Sequence, residues 1–283
     1  MTLAEVRKEY RNGLSGYYPA EEVNEIFALL AEKWLGLKPH EIALYSDRAL
    51  ESSQQQRFKT ALERLLRWEP VQYVIGHADF CGLKIRVGPS VLIPRPETEE
   101  LVGWIVEQEG TNNPGPVLDI GSGSGCIALA LKDQLINGVV HGMDISPEAL
   151  ELARENSREL GLDVHFFERD VFKDWDLPAK YRLIISNPPY VTFSEKVKMR
   201  ANVLEHEPRL ALYVADDDPL TYYREIGDKG RRYLVQGGLL FFELNERFAG
   251  QTLDLLQKLG YAELQLIKDF LGKDRFLKAL WPG

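Results

Sequence analysis

The chain is 283 residues long and holds 34 Lys/Arg against 43 Asp/Glu, a net charge of −9. Hydrophobic residues make up 45%, enough for a sizeable core in one large domain or two smaller ones. No apolar run approaches a membrane span, Met1–Arg7 lacks a signal-peptide core, and the two cysteines, Cys81 and Cys126, lie far apart beside no His cluster, which suggests neither a disulfide framework nor a zinc site.

The first seventy or so residues read as helices. Val23, Ile26, Phe27, Leu30 and Trp34 recur at helical spacing, as do Phe58, Ala61, Leu62, Leu65 and Leu66. Gly36 and Pro39 punctuate the interval. No catalytic constellation stands here, so the expectation for residues 1–75 is a helical bundle used for packing or partner recognition, with His40 an exposed loop residue. From Asp79 the period becomes two. Phe80, Leu83, Ile85 and Val87 alternate with polar or small residues until Gly88-Pro89-Ser90, which predicts a β-hairpin linker over 76–92.

The remainder, 93–283, alternates strands and helices. Pro94-Arg95-Pro96 precedes an amphipathic helix starting near Glu97, with Leu101, Trp104 and Ile105 inward. Strands are expected at Val117–Ile120, Val139–Met143, Val164–Phe167, Leu183–Ser186, Leu239–Leu244, Glu263–Ile267 and Arg275–Ala279. Such alternation implies an α/β fold with a mostly parallel seven-stranded sheet covered on both faces. Only Lys268–Asp274 separates the last two strands. That is too short for a crossover, so they should pair antiparallel.

The first strand of this sheet runs into Asp119-Ile120-Gly121-Ser122-Gly123-Ser124-Gly125, with a helix from Cys126. Glycines there allow a tight turn and a close backbone approach to a ligand. The dinucleotide fingerprint fails, because its third glycine position is Cys126, and the P-loop Gly-Lys-Ser/Thr is absent. The spacing is Gly-x-Gly-x-Gly, with Asp119 two residues ahead. An acid in the loop disfavours a pyrophosphate and suits a cationic ligand such as S-adenosylmethionine, whose amino group and sulfonium are both positive.

The next strand ends at Asp144-Ile145, where an acid can accept ribose hydroxyls. Ser146 then caps a helix with Pro147 at its first position. The third strand leads to Asp170-Val171-Phe172. Asp170 can accept an adenine amino group, and Val171 and Phe172 can flank the ring. Any one of these acids alone is most simply a solvated strand end. Three acids at successive carboxyl ends of strands mark the edge where α/β folds bind ligands.

The fourth strand, Leu183-Ile184-Ile185-Ser186, stops at Asn187-Pro188-Pro189-Tyr190. Consecutive prolines fix φ and supply no N–H, so the Pro188 carbonyl lacks a local donor. The residue before proline is pushed toward extended geometry, which projects Asn187 from the strand tip. The Asn187 side-chain oxygen and the Pro188 carbonyl then form a rigid acceptor pair beside the Tyr190 ring, suited to a flat, neutral –NH2 group. Asn-Pro-Pro is also an ordinary loop opener; the glycine loop and its acids favour the functional reading.

Residues 1–92 hold 12 Lys/Arg and 12 Asp/Glu, leaving 22 and 31 for 93–283. An acidic second part argues against tight nonspecific binding of a nucleic-acid backbone. A modest basic group, Lys196, Lys198 and Arg200, is the local exception.

The order of these pieces over 93–283 resembles class I, Rossmann-like S-adenosylmethionine-dependent methyltransferases. Asn187-Pro188-Pro189-Tyr190 narrows the resemblance to enzymes that methylate planar nitrogens. Along nearly its whole length the chain resembles the release factor glutamine methyltransferases. The matching segments are Glu69–Gly76, Leu92–Glu99, the glycine loop, Ser186–Val191, Glu207–Leu212 and Asp274-Arg275. Two stretches depart from the family's pattern. Tyr213–Asp218 replaces small glycine-containing turns, and Glu243 to Gln251 is longer than the family's Glu-x-Gly approach to a glutamine.

The resemblance implies S-adenosyl-L-methionine as cofactor, held by Asp119, Gly121, Ser122, Gly123, Ser124, Gly125, Asp144, Ile145, Asp170, Val171, Phe172 and Asn187. It implies methyl transfer to the N5 amide nitrogen of the glutamine in the Gly-Gly-Gln motif of peptide-chain release factors, with Asn187, Pro188, Pro189 and Tyr190 as the catalytic group. It also implies an N-terminal helical domain and a hairpin linker. The alternative is an adenine-N6 methyltransferase acting on a flipped base. The further expectations are no metal, no membrane association, a monomer in the cytoplasm, and structural roles for His141, His165 and His206.

Overall fold

The computed structural model describes every residue except 111–114 and 136–137, together with all their side chains but that of Lys198. Contacts divide the chain into two units, Met1–Gly76 with Arg200–His206, and His77–Met199 with Glu207–Gly283.

In the first unit, helices span Leu3–Leu14, Ala20–Leu35, Glu41–Leu44, Ser52–Leu65 and Val71–Ile75. Thr2 and Glu5 close a reciprocal capping box on the first of them, which satisfies two otherwise unpaired N–H groups. The apolar faces meet around Tyr10, Phe27 and Phe58. The Tyr10 ring packs edge-on against both, at 5.3 and 6.1 Å, and its buried hydroxyl donates to the Phe58 carbonyl at 2.6 Å. Arg64 pairs with Glu69 and donates to the carbonyls of Tyr73 and Val74, which ties down the Glu69–Gly76 segment. In Arg200–His206, Arg200 pairs with Glu22 at 3.2 Å and His206 Nε2 lies 2.7 Å from the Arg67 carbonyl. Arg200 is therefore a paired cation, which removes it from the expected basic group. The Lys198 side chain of that group lies outside the described residues.

The second unit opens with a hairpin, β1 (His77–Phe80) and β2 (Leu83–Arg86). Both turn residues, Cys81 and Gly82, have positive φ, 49° and 81°, the turn hand that matches strand twist. The main sheet contains β3 (Val117–Ile120), β4 (Val140–Asp144), β5 (Val164–Glu168) and β6 (Tyr181–Ser186). A separate two-stranded pair, β7 (Val191–Thr192) and β8 (Tyr213–Val214), comes next in the chain. The main sheet then resumes with β9 (Leu234–Glu243), β10 (Ala262–Lys268) and β11 (Asp274–Leu280). Its order is β10-β11-β9-β6-β3-β4-β5, with β11 antiparallel to both neighbours and the other pairs parallel. The expected seven-stranded, mostly parallel sheet with an antiparallel last strand is present. Every residue of β3 is buried, as central parallel strands covered on both faces require.

The β7–β8 pair was not anticipated. It converts the divergent Tyr213–Asp218 stretch into a parallel partner for the residues after Tyr190. Phe193 stacks on Tyr213 at 5.5 Å, and Asp216 accepts from the Ser194 N–H at 3.0 Å. Two-residue strands have no period to read. His141 is half-buried and His165 is exposed. His141 Nδ1 lies 2.9 Å from the Tyr181 hydroxyl, and its ring meets His165 and Phe167 edge-on.

Asn156, on the helix Pro147–Leu160, joins three parts of this unit. It is 1% exposed. Its amide nitrogen donates to the carbonyls of Arg86 (3.1 Å) and Ser124 (2.9 Å), and its oxygen accepts from the Arg86 N–H (2.7 Å). Hairpin, glycine loop and helix thus share one buried amide. Asn156→Leu keeps the volume and leaves those backbone groups unpaired, a loss of about 3 kcal/mol for buried groups of this kind. Urea unfolding checks this; an unchanged midpoint would reject the tie.

Candidate active site

The carboxyl ends of β3, β4, β5 and β6 open onto a cavity of about 310 Å³. Its walls are Ile120, Gly121 and Gly123 after β3; Met143 to Ser146 after β4; Arg169 to Phe172 after β5; and Ser186 to Pro189 after β6. Ser90–Leu92, Ala149, Pro208, Leu210, Ala211, Tyr222 and Ile226 complete it.

The glycine loop turns through three left-handed residues, Gly121 (φ 76°), Gly123 (φ 54°) and Gly125 (φ 80°). Gly125 is also crowded, since a Cβ there would sit 3.0 Å from the Phe166 ring. All three positions favour glycine for their backbone conformation, and Gly125 for its space as well. Asp144 holds the loop. Its Oδ2 accepts from the Gly123 N–H and its Oδ1 from the Ser146 N–H, both at 2.9 Å. Burial raises the Asp144 pKa, and those backbone donors oppose the shift. Ser146 Oγ in turn caps the following helix, accepting from the Ala149 N–H.

The loop acids separate into two environments. Asp144 and Asp170 line the cavity, together with the apolar Ile145, Val171 and Phe172. Asp170 Oδ1 accepts from the Phe172 N–H at 2.9 Å, and Phe172 packs against Tyr222 at 5.1 Å. Asp119 is fully buried and is not on the cavity wall. Neither of its carboxylate oxygens has a hydrogen-bond partner at normal distance, because Ser122 Oγ donates instead to the Asp119 backbone carbonyl at 3.1 Å. Burial, with nearby Asp144 adding, pushes its pKa up to about 7. Ser122, Ser124 and Gly125 also stand off the wall. Among the described residues the one basic residue lining the cavity, Arg169, spends its guanidinium on the carbonyls of Trp175, Glu168 and Asp176.

At the tip of β6, Asn187, Pro188 and Pro189 line the cavity. Among the described residues no donor reaches the Asn187 side-chain oxygen or the Pro188 carbonyl. The Asn187 amide nitrogen donates to Thr98 Oγ1 at 3.2 Å. Tyr190 turns away from the wall, and its hydroxyl donates to Glu243 Oε1 at 3.0 Å. Thr98 Oγ1 donates to the other oxygen of Glu243 at 2.7 Å. Glu243 is 1% exposed. Burial raises its pKa; the Thr98 and Tyr190 hydroxyls and the charge of Arg275 oppose that. Sequence reasoning treated Glu243 only as the start of a divergent loop and gave Thr98 no role. A period-breaking acid at the end of an apolar strand was the available signal.

That divergent loop is anchored. Asn245 donates to the Tyr190 carbonyl (3.1 Å) and to Glu195 (3.0 Å), and caps the turn Glu246–Phe248 by accepting from the Arg247 N–H. Another pair joins two segments that carried the resemblance. Arg95 donates to Glu207 Oε1 at 2.7 Å, and the Ile93 N–H donates to Glu207 Oε2 at 3.2 Å. Their neighbours Val91, Leu92, Pro208 and Leu210 form a cavity wall.

Residues 101–210 match the family described as methyltransferase small domain, and residues 5–76 match the PrmC N-terminal domain. The chain is 44% identical to a release factor glutamine methyltransferase of Bacteroides thetaiotaomicron, over 95% of this chain and 96% of the relative. It is 37% identical to that of Flavobacterium psychrophilum, over 98% and 99%. Among solved structures, a methyltransferase from Pyrococcus furiosus shares the fold, with a TM-score of 0.52 and 19% identity over 82% of this chain and 100% of that one. The chain belongs to the release factor glutamine methyltransferase family.

Proposed function

We propose that this protein transfers a methyl group from S-adenosyl-L-methionine to the side-chain amide nitrogen of a glutamine in a peptide-chain release factor, that of its Gly-Gly-Gln motif. One observation carries the acceptor reading. The two oxygens without protein donors, Asn187 Oδ1 and the Pro188 carbonyl, belong to adjacent residues on the cavity wall, which is what a primary amide with two N–H groups requires.

The residues present fit the cofactor. The wall presents carboxylates, apolar side chains and left-handed glycines, and its single guanidinium is consumed by backbone carbonyls. That donor set suits a cationic nucleoside and disfavours a pyrophosphate. Asp144 would hold the ribose, Asp170 with Val171 and Phe172 the adenine, and the loop Gly121–Gly125, with Asp119 behind it, the charged amino-acid end. When bound, the cofactor supplies an electrophilic methyl group on a positively charged sulfur.

An amide nitrogen is a poor nucleophile because its lone pair is delocalised into the carbonyl. Accepting both N–H groups favours a pyramidal nitrogen with its lone pair directed at the methyl donor. Pro188 and Pro189 keep the acceptors rigid, since neither can rotate about φ. No strong base is needed at the moment of transfer, because the nitrogen becomes acidic only as it is methylated and then releases its extra proton to solvent. Catalysis rests on in-line positioning and on preorganised electrostatics.

Labelled S-adenosylmethionine offered with a release factor, its Gln→Ala variant or duplex DNA tests the proposal. Label in the intact release factor alone is expected; label in DNA would establish the adenine reading instead. Asn187→Ala should lower turnover at least roughly 10²-fold, the scale for losing a positioning donor or acceptor, while calorimetry finds cofactor binding intact. Asp144→Ala should weaken cofactor binding, and an unchanged dissociation constant rejects its ribose role.

Asp119 makes a pH signature in the cofactor-free protein. Its pKa in the folded state, about 7 against an ordinary 3.8, means that the fold binds this proton more tightly than the unfolded chain. The stability it contributes is fully present below the ordinary value and is lost as pH rises toward 7. Asp119→Asn imitates the neutral acid. The Tm difference between variant and wild type should therefore grow in the variant's favour from pH 5 to pH 8; a constant gap contradicts it.

A further inference from the structure

We propose that Thr98 and Glu243 form a positioning relay that sets which end of the Asn187 side-chain amide faces the substrate. The inference rests on the reading of Asn187 as an acceptor for the glutamine amide. It concerns what makes Asn187 an acceptor at all.

The two ends of an asparagine amide have nearly the same shape and opposite hydrogen-bonding character. If the oxygen faces the cavity, a substrate N–H is welcomed. If the NH2 faces it, the same N–H is repelled. Shape alone does not choose between them, so the neighbours must. Here the neighbour is the Thr98 hydroxyl, 3.2 Å from Asn187 Nδ2. A hydroxyl has a single proton, and Thr98 donates its own to Glu243 Oε2 at 2.7 Å. Toward Asn187 it can then offer only lone pairs. It accepts from the NH2 group, and it would leave the amide oxygen without a donor if the amide were flipped.

The direction of this chain is set at its far end. An ionised carboxylate accepts and cannot donate. Glu243 takes one hydroxyl on each oxygen, Thr98 on Oε2 and Tyr190 on Oε1. Burial opposes the ionised form; the two hydroxyls favour it, as does the charge of Arg275, whose guanidinium is held by Asp269 (3.1 Å) and the Leu244 carbonyl (2.9 Å). All the donors therefore point inward to Glu243, and the Asn187 oxygen is turned to the cavity. One carboxylate orients both ends of the tetrapeptide, Asn187 through Thr98 and Tyr190 directly. Neither Thr98 nor Glu243 lines the cavity, so both act through Asn187 and Tyr190.

Three variants of the full chain test the relay. Thr98→Val keeps the shape and removes the hydroxyl; Thr98→Ser keeps the hydroxyl and removes the methyl. Glu243→Gln keeps the shape and introduces a donor. Turnover on a release factor at saturating S-adenosylmethionine should fall about tenfold in Thr98→Val, the scale of one hydrogen bond in a barrier. Thr98→Ser should retain most of the activity, and calorimetry should show cofactor affinity unchanged in both. A packing role for Thr98 predicts the reverse order, with Val active and Ser impaired, and that order overturns the relay.

A second readout does not depend on the substrate. In ¹⁵N spectra of the substrate-free protein, the Asn187 side-chain NH2 signal, assigned by its loss in Asn187→Asp, should move in Thr98→Val and Glu243→Gln and stay in Thr98→Ser. An unmoved signal in Thr98→Val also overturns the relay, and that variant keeps the test open if Glu243→Gln fails to fold. If the wild type leaves release factors unlabelled while the signal moves as expected, the substrate reading fails and the relay stands.

Discussion

The parallel register between β3 and β6 is the constraint on which the site depends. Ile120 pairs with Ser186 in that ladder, and Ser186 Oγ donates across it to the Ile120 carbonyl at 2.7 Å. The next residue on one strand is Gly121 and on the other Asn187. Strand pairing thus delivers the glycine loop and the acceptor pair to the same level of the sheet edge. A slip of one residue would turn every side chain of β6 to the opposite face, and Asn187 with them. Both strands are buried over most of their length, so register is enforced by the core.

Around that edge three of the buried carboxylates, Glu207, Glu243 and Asp119, are each treated differently. Glu207 is compensated by the Arg95 guanidinium and a backbone N–H. Glu243 is compensated by two hydroxyls, with Arg275 close enough to favour its charged form. Asp119 has no ion pair and no hydrogen-bond partner at normal distance among the described residues, and burial raises its pKa well above the ordinary carboxylate range. A buried charge is costly unless it is paired or hydrogen-bonded. The first two therefore stiffen the walls they join. Asp119 stands out as the uncompensated group behind the loop assigned to a cationic ligand.

The departures from the family pattern became structure in their own right. Tyr213-Val214 forms a strand with Val191-Thr192, and Asn245 uses its amide on the Tyr190 carbonyl and Glu195. Both segments converge on the stretch that follows the tetrapeptide. Neither was legible beforehand, because a two-residue ladder and a side-chain tether leave no periodicity in the chain.

The sequence by itself determined the architecture and the cavity's edge. Alternating apolar strands and amphipathic helices specify a covered parallel sheet, and the short interval before β11 forces its reversal. The glycine spacing, the strand-end acids and the two prolines act through local backbone chemistry, so they can be read one residue after another. Only the tertiary structure decided which polar groups meet. Thr98, Asn187 and Glu243 are separated by 89 and 56 positions in the chain, and Asn156 reaches a strand 70 residues away. Pairing over such distances is set by strand order and helix packing, which no local pattern encodes. The same packing put Asp144 and Asp170 on the cavity wall and Asp119 behind it, because Asp119 pairs with Gly142, two residues short of the strand end at Asp144.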